Sequence, residues 1–253
     1  MFFATARGVV KKTPLGAYSR PRANGIIAMT LDPDDELIGV GETSGTDEIV
    51  LGSRSGLAIR FDEDDVRAMG RTARGVKGMD LRGDDLVVDL VVTNEEASLL
   101  TVCENGFGKR TQVSEYRKTR RGAKGVINIK TTERNGQVVS VIGVNDTDEV
   151  LFISAKGIIL RTDLSQVREI GRATQGIRLI RLDDNDQVVA ATRMVSEDEN
   201  GKDDESEQAK SAETGDGTPS ADASNESLTT DETPDSSDTD THPAGEEDGD
   251  EAS

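Results

Sequence analysis

Residues 49–61 read IVLGSRSGLAIRF: an apolar run, a small polar turn ending at Gly56, and a second apolar run that carries Arg60. Aliphatic and β-branched residues on both sides of a glycine turn predict a β-hairpin, because glycine reaches the positive φ of such a turn without steric cost. The pattern returns as FFATARGVVKKT at 2–13, LLTVCENGFGKRT at 99–111 and VLFISAKGIILRT at 150–162. Its glycines, Gly8, Gly56, Gly106 and Gly157, stand 48, 50 and 51 residues apart. A spacing this regular marks a tandem repeat.

Two more signatures follow each hairpin. The first holds Gly25, Gly75, Gly122 and Gly176, within RANGIIAM, RTARGVKGM, TRRGAKGV and RATQGIRLI. The second is DDELIGV (34–40), DDLVVDL (84–90), NGQVVSV (135–141) and NDQVVAA (185–191). Each reads as a tight turn entering a β-branched strand, and no segment sustains a helical period. A unit of about four strands forms a sheet too small to shield both its faces, so the units must stack. The predicted fold is all-β, with propeller-like blades over approximately 1–45, 46–94, 95–146 and 147–195. Met1 takes the place of Ile49, Leu99 and Val150, and the acidic lead-in seen at Asp47–Glu48 and Asp148–Glu149 has no counterpart before it. The register therefore predicts an array that begins upstream of Met1.

Charge divides the chain sharply. Residues 196–253 hold 21 acidic and two basic residues, a net −19 equal to that of the whole chain, so the first 195 residues balance 28 against 28. The segment has one large aliphatic residue, Leu228, and no aromatic, which predicts a tail that cannot offset the entropy of ordering its backbone. Cys103 and His242 are single in the chain, which excludes a disulfide framework, a Cys/His zinc site and a histidine base within one chain. Cys103 reads as a small buried hydrophobe. No apolar stretch approaches the roughly 20 residues of a membrane span, so a soluble cytoplasmic protein is expected.

DEIVLGSRSGLAIRF, VRAMGRTARGVKG, ENGFGKRT, RRGAKGVINIKTTERNG and GRATQGIRLIRL, taken in order, resemble the C-terminal domain of DNA gyrase A over nearly all of residues 1–195. The corresponding domain of topoisomerase IV is similar but less close. The resemblance implies a β-pinwheel that binds, bends and wraps duplex DNA for negative supercoiling. The family domain has six blades; the four found here would be its last four. The family's diagnostic box, Gln-Arg-Arg-Gly-Gly-Lys-Gly, belongs to the first blade, so Thr119–Gly125, TRRGAKG, is read as the related loop of a later blade. Partners implied are double-stranded DNA, the rest of gyrase A and its companion protein gyrase B, in a bacterial, nucleoid-associated setting. ATP and Mg would bind elsewhere in the holoenzyme, and no cofactor or metal is expected in this chain.

Basic residues recur at equivalent repeat positions. After the hairpin glycine come Lys11 and Lys12, then Arg60, then Lys109 and Arg110, then Arg161. Around the next signature come Arg20 and Arg22; Arg71, Arg74 and Lys77; Lys118, Arg120, Arg121 and Lys124; and Arg172 and Arg178. Stacked repeats are expected to bring them into rows at one edge, which would hold phosphates without reading sequence. The ordinary alternative is a mixed, solvated surface in which these cations pair with acids. A propeller-like protein interaction scaffold would use that surface differently, with little salt dependence.

No catalytic group is expected. Tyr18 follows Ala17 and Tyr116 follows Glu115, whereas the family's nucleophilic Tyr follows Arg; both read as packing residues. No GxxxxGK[ST] loop occurs, and Asp34–Asp35 and Asp84–Asp85 recur as turn residues. The acidic tail is a solubilising appendage or a competitor for the basic rows. If it competes, deleting 196–253 raises DNA affinity more at low salt than at high salt in a titration at two ionic strengths. Equal affinity with and without the tail would leave only the solubilising role.

Overall fold

The structure, a computed structural model, describes residues 1–194; the expectation for the acidic tail lies outside the described residues. The first repeat contributes β1 (Phe2–Thr5), β2 (Val9–Lys12) and β3 (Leu37–Gly41). The second holds β4 (Glu48–Ser53), β5 (Leu57–Asp62), β6 (Val76–Lys77) and β7 (Val87–Thr93). Next come β8 (Ser98–Cys103), β9 (Phe107–Gln112), β10 (Val126–Ile127) and β11 (Val138–Val144). The fourth supplies β12 (Glu149–Ser154), β13 (Ile159–Asp163), β14 (Ile177–Arg178) and β15 (Val188–Met194).

The expected hairpins are β1–β2, β4–β5, β8–β9 and β12–β13. Their glycines lie at φ +79, +88, +76 and +84°. Each donates its N–H to the carbonyl three residues earlier, at 2.9–3.1 Å. The hydroxyls of Thr5, Ser53 and Ser154 then accept the N–H that follows the glycine. The repeated aspartates do turn work, as expected: Asp35, Asp85 and Asp186 each accept two backbone N–H groups, one from the hairpin loop and one from their own loop.

One expectation fails in detail. A sheet is not built from a single repeat: the antiparallel orders are β3-β1-β2-β6, β7-β4-β5-β10, β11-β8-β9-β14 and β15-β12-β13. In the first three, the outermost strand is lent by the following repeat, and the fourth sheet has three strands. The lent strands follow Gly75, Gly125 and Gly176, at φ +109, +81 and +76°. The register of the second signature therefore runs through Gly125, not Gly122. Gly122, also at positive φ (+78°), instead donates its N–H to the Gly78 carbonyl at 2.6 Å.

The core lies between successive sheets. On β4, Ile49 and Leu51 join Phe2, Val10 and Met79 on one side, while Val50 turns to Leu99, Tyr116 and Val141 on the other. On β8, Leu99 and Cys103 face back and Leu100 and Val102 face forward to Phe152 and Leu164. Alternate side chains of a strand point to opposite faces, so a sheet buried on both sides must be continuously apolar. That is why IVL and LLTVC read as unbroken runs. Burial pushes the Cys103 thiol up to about 12, the mark of an inert packing cysteine. Strands β3, β7, β11 and β15 pack on their neighbours in that order, and the last three line a cleft of about 500 Å³. They are the inner strands; β6, β10 and β14 are the outer ones.

Gly125 and Gly25 share a left-handed φ, +81 and +79°, but a Cβ on Gly125 would meet the Ala58 carbonyl whereas one on Gly25 meets nothing. Gly25→Ala should lose only the left-handed cost of about 1–2 kcal/mol. Gly125→Ala should lose distinctly more, read as a larger fall in urea midpoint; equal losses would mean that the strand tolerates displacement.

Candidate nucleic-acid interface

The basic residues singled out from the sequence divide into three groups. The first is interior. Lys11, Arg60, Lys109 and Arg110 are 0, 3, 0 and 8% exposed, so the expectation that they face outward is corrected. They lie on β2, β5 and β9, which the lent strand and its preceding loop cover. Lys11 donates to the Ala28 and Arg71 carbonyls. Arg60 forms a fork to both oxygens of Glu48, at 2.6 and 2.9 Å, and reaches the carbonyls of Val113 and Tyr116 at 3.1 and 3.0 Å in the next repeat. Burial alone would raise the Glu48 carboxyl, but Arg60 and Lys118 outweigh it and hold the group below its usual range. Lys109 donates to Thr111 Oγ1 at 2.6 Å and to the Gly171 carbonyl. Burial, with Arg172 nearby, lowers its ammonium to about 7. Arg110 pairs with Asp146 at 2.8 Å.

The second group is engaged but reaches solvent. Arg71, Arg121 and Arg172 occupy one repeat position, four residues before the lent-strand glycine. They donate to the carbonyls of Ile27, Lys77 and Ile127, each in the preceding repeat, at 3.2, 3.0 and 3.0 Å. Arg121 also caps the Asp65 carbonyl, so within TRRGAKG it staples two repeats together. Lys12 pairs with Glu63 and Asp64, Lys118 with Glu48 and Asp62, Arg74 with Asp32, Lys77 with Asp80 and Arg161 with Glu149.

The third group is exposed and, among the described residues, has no ion pair: Arg20, Arg22, Arg120, Lys124 and Arg178. Arg178 lies over the Phe107 ring at 5.2 Å, which orients its guanidinium. Sequence reading missed a row of the same kind. Arg67, Arg117 and Arg168 stand eight residues before Gly75, Gly125 and Gly176, are all exposed, and have no ion pair among the described residues. Each immediately precedes the residue that bridges to the sheet before it, Ala68 to Lys12, Lys118 to Arg60 and Glu169 to Arg110. The row is therefore fixed on the outer side of each junction. Its signal was present, since the three arginines recur at 50 and 51 residues. Lys130 and Arg181, five residues after Gly125 and Gly176, are exposed too.

Four stacked antiparallel sheets, each of the first three completed by its neighbour and edged by recurring cations, define a propeller-like repeat domain. The chain belongs to the family described as DNA gyrase C-terminal domain, beta-propeller, whose model matches residues 1–44, 47–94, 97–145 and 148–193. The DNA gyrase A protein of Salmonella typhimurium is 51% identical over 195 residues, which cover 77% of this chain and 22% of that relative. The chain thus spans under a quarter of the length of that relative. A solved structure of a DNA gyrase A C-terminal domain aligns at a TM-score of 0.70 and 31% identity, over 77% of this chain and 65% of that one. A crystal structure of the C-terminal domain of DNA topoisomerase IV aligns at 0.76 and 26% identity, over 83% and 66%.

Arg60 and Arg161 hold the same hairpin position, yet one is buried and the other is 60% exposed. Arg60→Ala should cost about 3 kcal/mol in chemical denaturation, the low end for breaking a buried pair because Lys118 stays beside Glu48. Arg161→Ala should leave the midpoint near that of the parent. Similar losses at both would contradict the division between holding and facing residues.

Proposed function

We propose that this chain is a duplex-DNA-binding element of a gyrase A protein, and that its outer edge holds and bends DNA along the array. The exposed arginines Arg67, Arg117 and Arg168, one in each of the last three repeats and without an ion pair among the described residues, are the observation that carries this reading. Arg20, Arg22, Arg120, Lys124 and Arg178 extend the same charged edge. Cations without acidic partners keep their full charge for phosphates, and contacts that release counterions bind DNA regardless of base sequence. Rigid sheets joined at a regular angle would present those cations along a curve, favouring bent DNA.

The wider reading follows from family membership. The element would wrap a DNA segment and present it to the breakage-reunion part of gyrase A, with gyrase B supplying ATP hydrolysis, in negative supercoiling within the bacterial cytoplasm. It would do no chemistry itself. Tyr116 is fully buried with its hydroxyl donating to Asn128 Oδ1 at 2.6 Å, and burial raises its pKa, the opposite of an activated nucleophile. Tyr18 packs against Phe3, with ring centroids 6.1 Å apart.

Replacing Arg67, Arg117 and Arg168 together with Ala tests the reading on plain duplex DNA. Affinity should fall alike for unrelated sequences, and the slope of log K against log salt should drop by up to about 2.7 if each arginine contacts one phosphate. An unchanged slope, or a loss confined to one sequence, would sink it.

A further inference from the structure

Phe107 departs from the repeat. Its place, one residue after the hairpin glycine, is held by Val9, Leu57 and Ile158 in the other repeats, so it is aromatic only here. Two arginines lie over its ring, Arg134 with Cζ 4.7 Å from the centroid and Arg178 with Cζ at 5.2 Å. They come from different repeats. Arg178 is on β14, the strand lent by the fourth repeat, in register with Phe107, and Arg134 is in the turn that precedes β11 in the third. Pro33, Gly83 and Asp184 stand at the place of Arg134 elsewhere, and Lys77 and Ile127 at that of Arg178. The pair is therefore particular to the junction of the third and fourth repeats.

Both backbones are fixed. Asn105, in the hairpin turn, donates its N–H to the Asn135 carbonyl at 3.1 Å and its side-chain amide to the carbonyls of Glu133 and Arg134 at 3.0 and 3.3 Å. Asn135 is itself fully buried. Its Oδ1 accepts from the Thr132 N–H and hydroxyl, and its amide donates to the carbonyls of Lys130 and Gln175, which ties the turn to the third and fourth repeats together. The two arginine side chains are exposed, and neither has an ion pair among the described residues. The nearby Glu104 carboxylate is occupied by the Gln137 N–H at 2.9 Å. Two guanidiniums drawn to one ring face repulsion that no acid relieves. Such a pair suits an anion with two free oxygens, one for each guanidinium.

We propose that Arg134 and Arg178 grip one phosphate of duplex DNA between them, with the Phe107 ring setting their positions. This rests on the reading of the chain as a DNA-binding element. A backbone phosphate presents two unesterified oxygens, and the exposed Lys130 and Arg181 extend the charge on the same two repeats for its neighbours along the strand. The Arg67, Arg117 and Arg168 row recurs with the repeat and would hold DNA equally well one repeat further along. A clamp that occurs once gives the duplex a fixed point on that periodic edge, on the side of the hairpin turns.

Fluorescence-anisotropy titrations of the 253-residue chain with plain duplex DNA, repeated over a series of salt concentrations, test the clamp. Arg134→Ala and Arg178→Ala each remove an exposed side chain and should each lower affinity about tenfold at low salt. Because one phosphate is shared, the loss in the double variant should fall short of the product of the single losses. Its slope of log K against log salt should drop by about 0.9, the value for a single phosphate. Phe107→Leu, the residue that the second repeat carries at this place, should weaken binding with the slope kept, and should change nothing further in the double variant. Single losses that multiply overturn the clamp, because they report separate contacts. Unchanged affinity in these variants overturns it too: if replacing Arg67, Arg117 and Arg168 still lowers the slope, the clamp alone falls, and if neither set matters, the DNA reading falls with it. Loss of polyglutamate binding with DNA affinity intact would assign the pair to an acidic polypeptide, which also overturns it.

Discussion

The approach of one repeat's backbone to the hairpin glycine of the repeat before it governs this structure. With no Cβ in the way, the carbonyls of Gly8, Gly56 and Gly106 each take two N–H groups from the next unit, and the lent strand follows immediately. Buried backbone groups need partners, and a two-residue strand such as β6 has no standing except on its neighbour's edge. Around that contact, the apolar faces of consecutive sheets close on each other, and the cations of the following loop are carried to fixed places. Arg71, Arg121 and Arg172 reinforce it by reaching back to the preceding repeat.

Much of the fold was legible because period and turn chemistry point the same way. Four glycine hairpins at 48 to 51 residues and unbroken apolar runs such as IVL describe sheets buried on both faces. The lending of a strand was not legible, since a strand's sequence does not say whose edge it joins. Nor could pattern alone choose between Gly122 and Gly125, three residues apart and both at positive φ. Only the Ala58 carbonyl beside Gly125 separates their roles.

The cationic edge was legible in part, for a related reason. Recurrence reports that a position matters but not whether it supports or faces outward. Arg60 and Arg110 recur as faithfully as Arg67, Arg117 and Arg168, yet the former stand beneath the lent strand and its loop. Lys11 and Lys109 alternate with Ile59 and Leu160 at the same repeat position, which marks a site of packing more than of display. Two of the supporting cations bring their own acids, Glu48 for Arg60 and Asp146 for Arg110, while Lys11 and Lys109 rest on neutral partners. Arg67, Arg117 and Arg168 are among the exposed cations that have no ion pair among the described residues.

The lent strand also imposes an order in time. A ribosome releases the chain from its N-terminus, so each hairpin emerges before the strand that finishes its sheet, and about 30 residues of the next repeat must follow before β5 can meet β10 or β9 can meet β14. One unfinished sheet therefore always rides at the growing end, its apolar edge shown to whatever is near. The array would gain stability in steps of one neighbour at a time. Synthesis in one direction thereby selects the correct strand by arrival, since at each moment the next repeat is the only new partner offered.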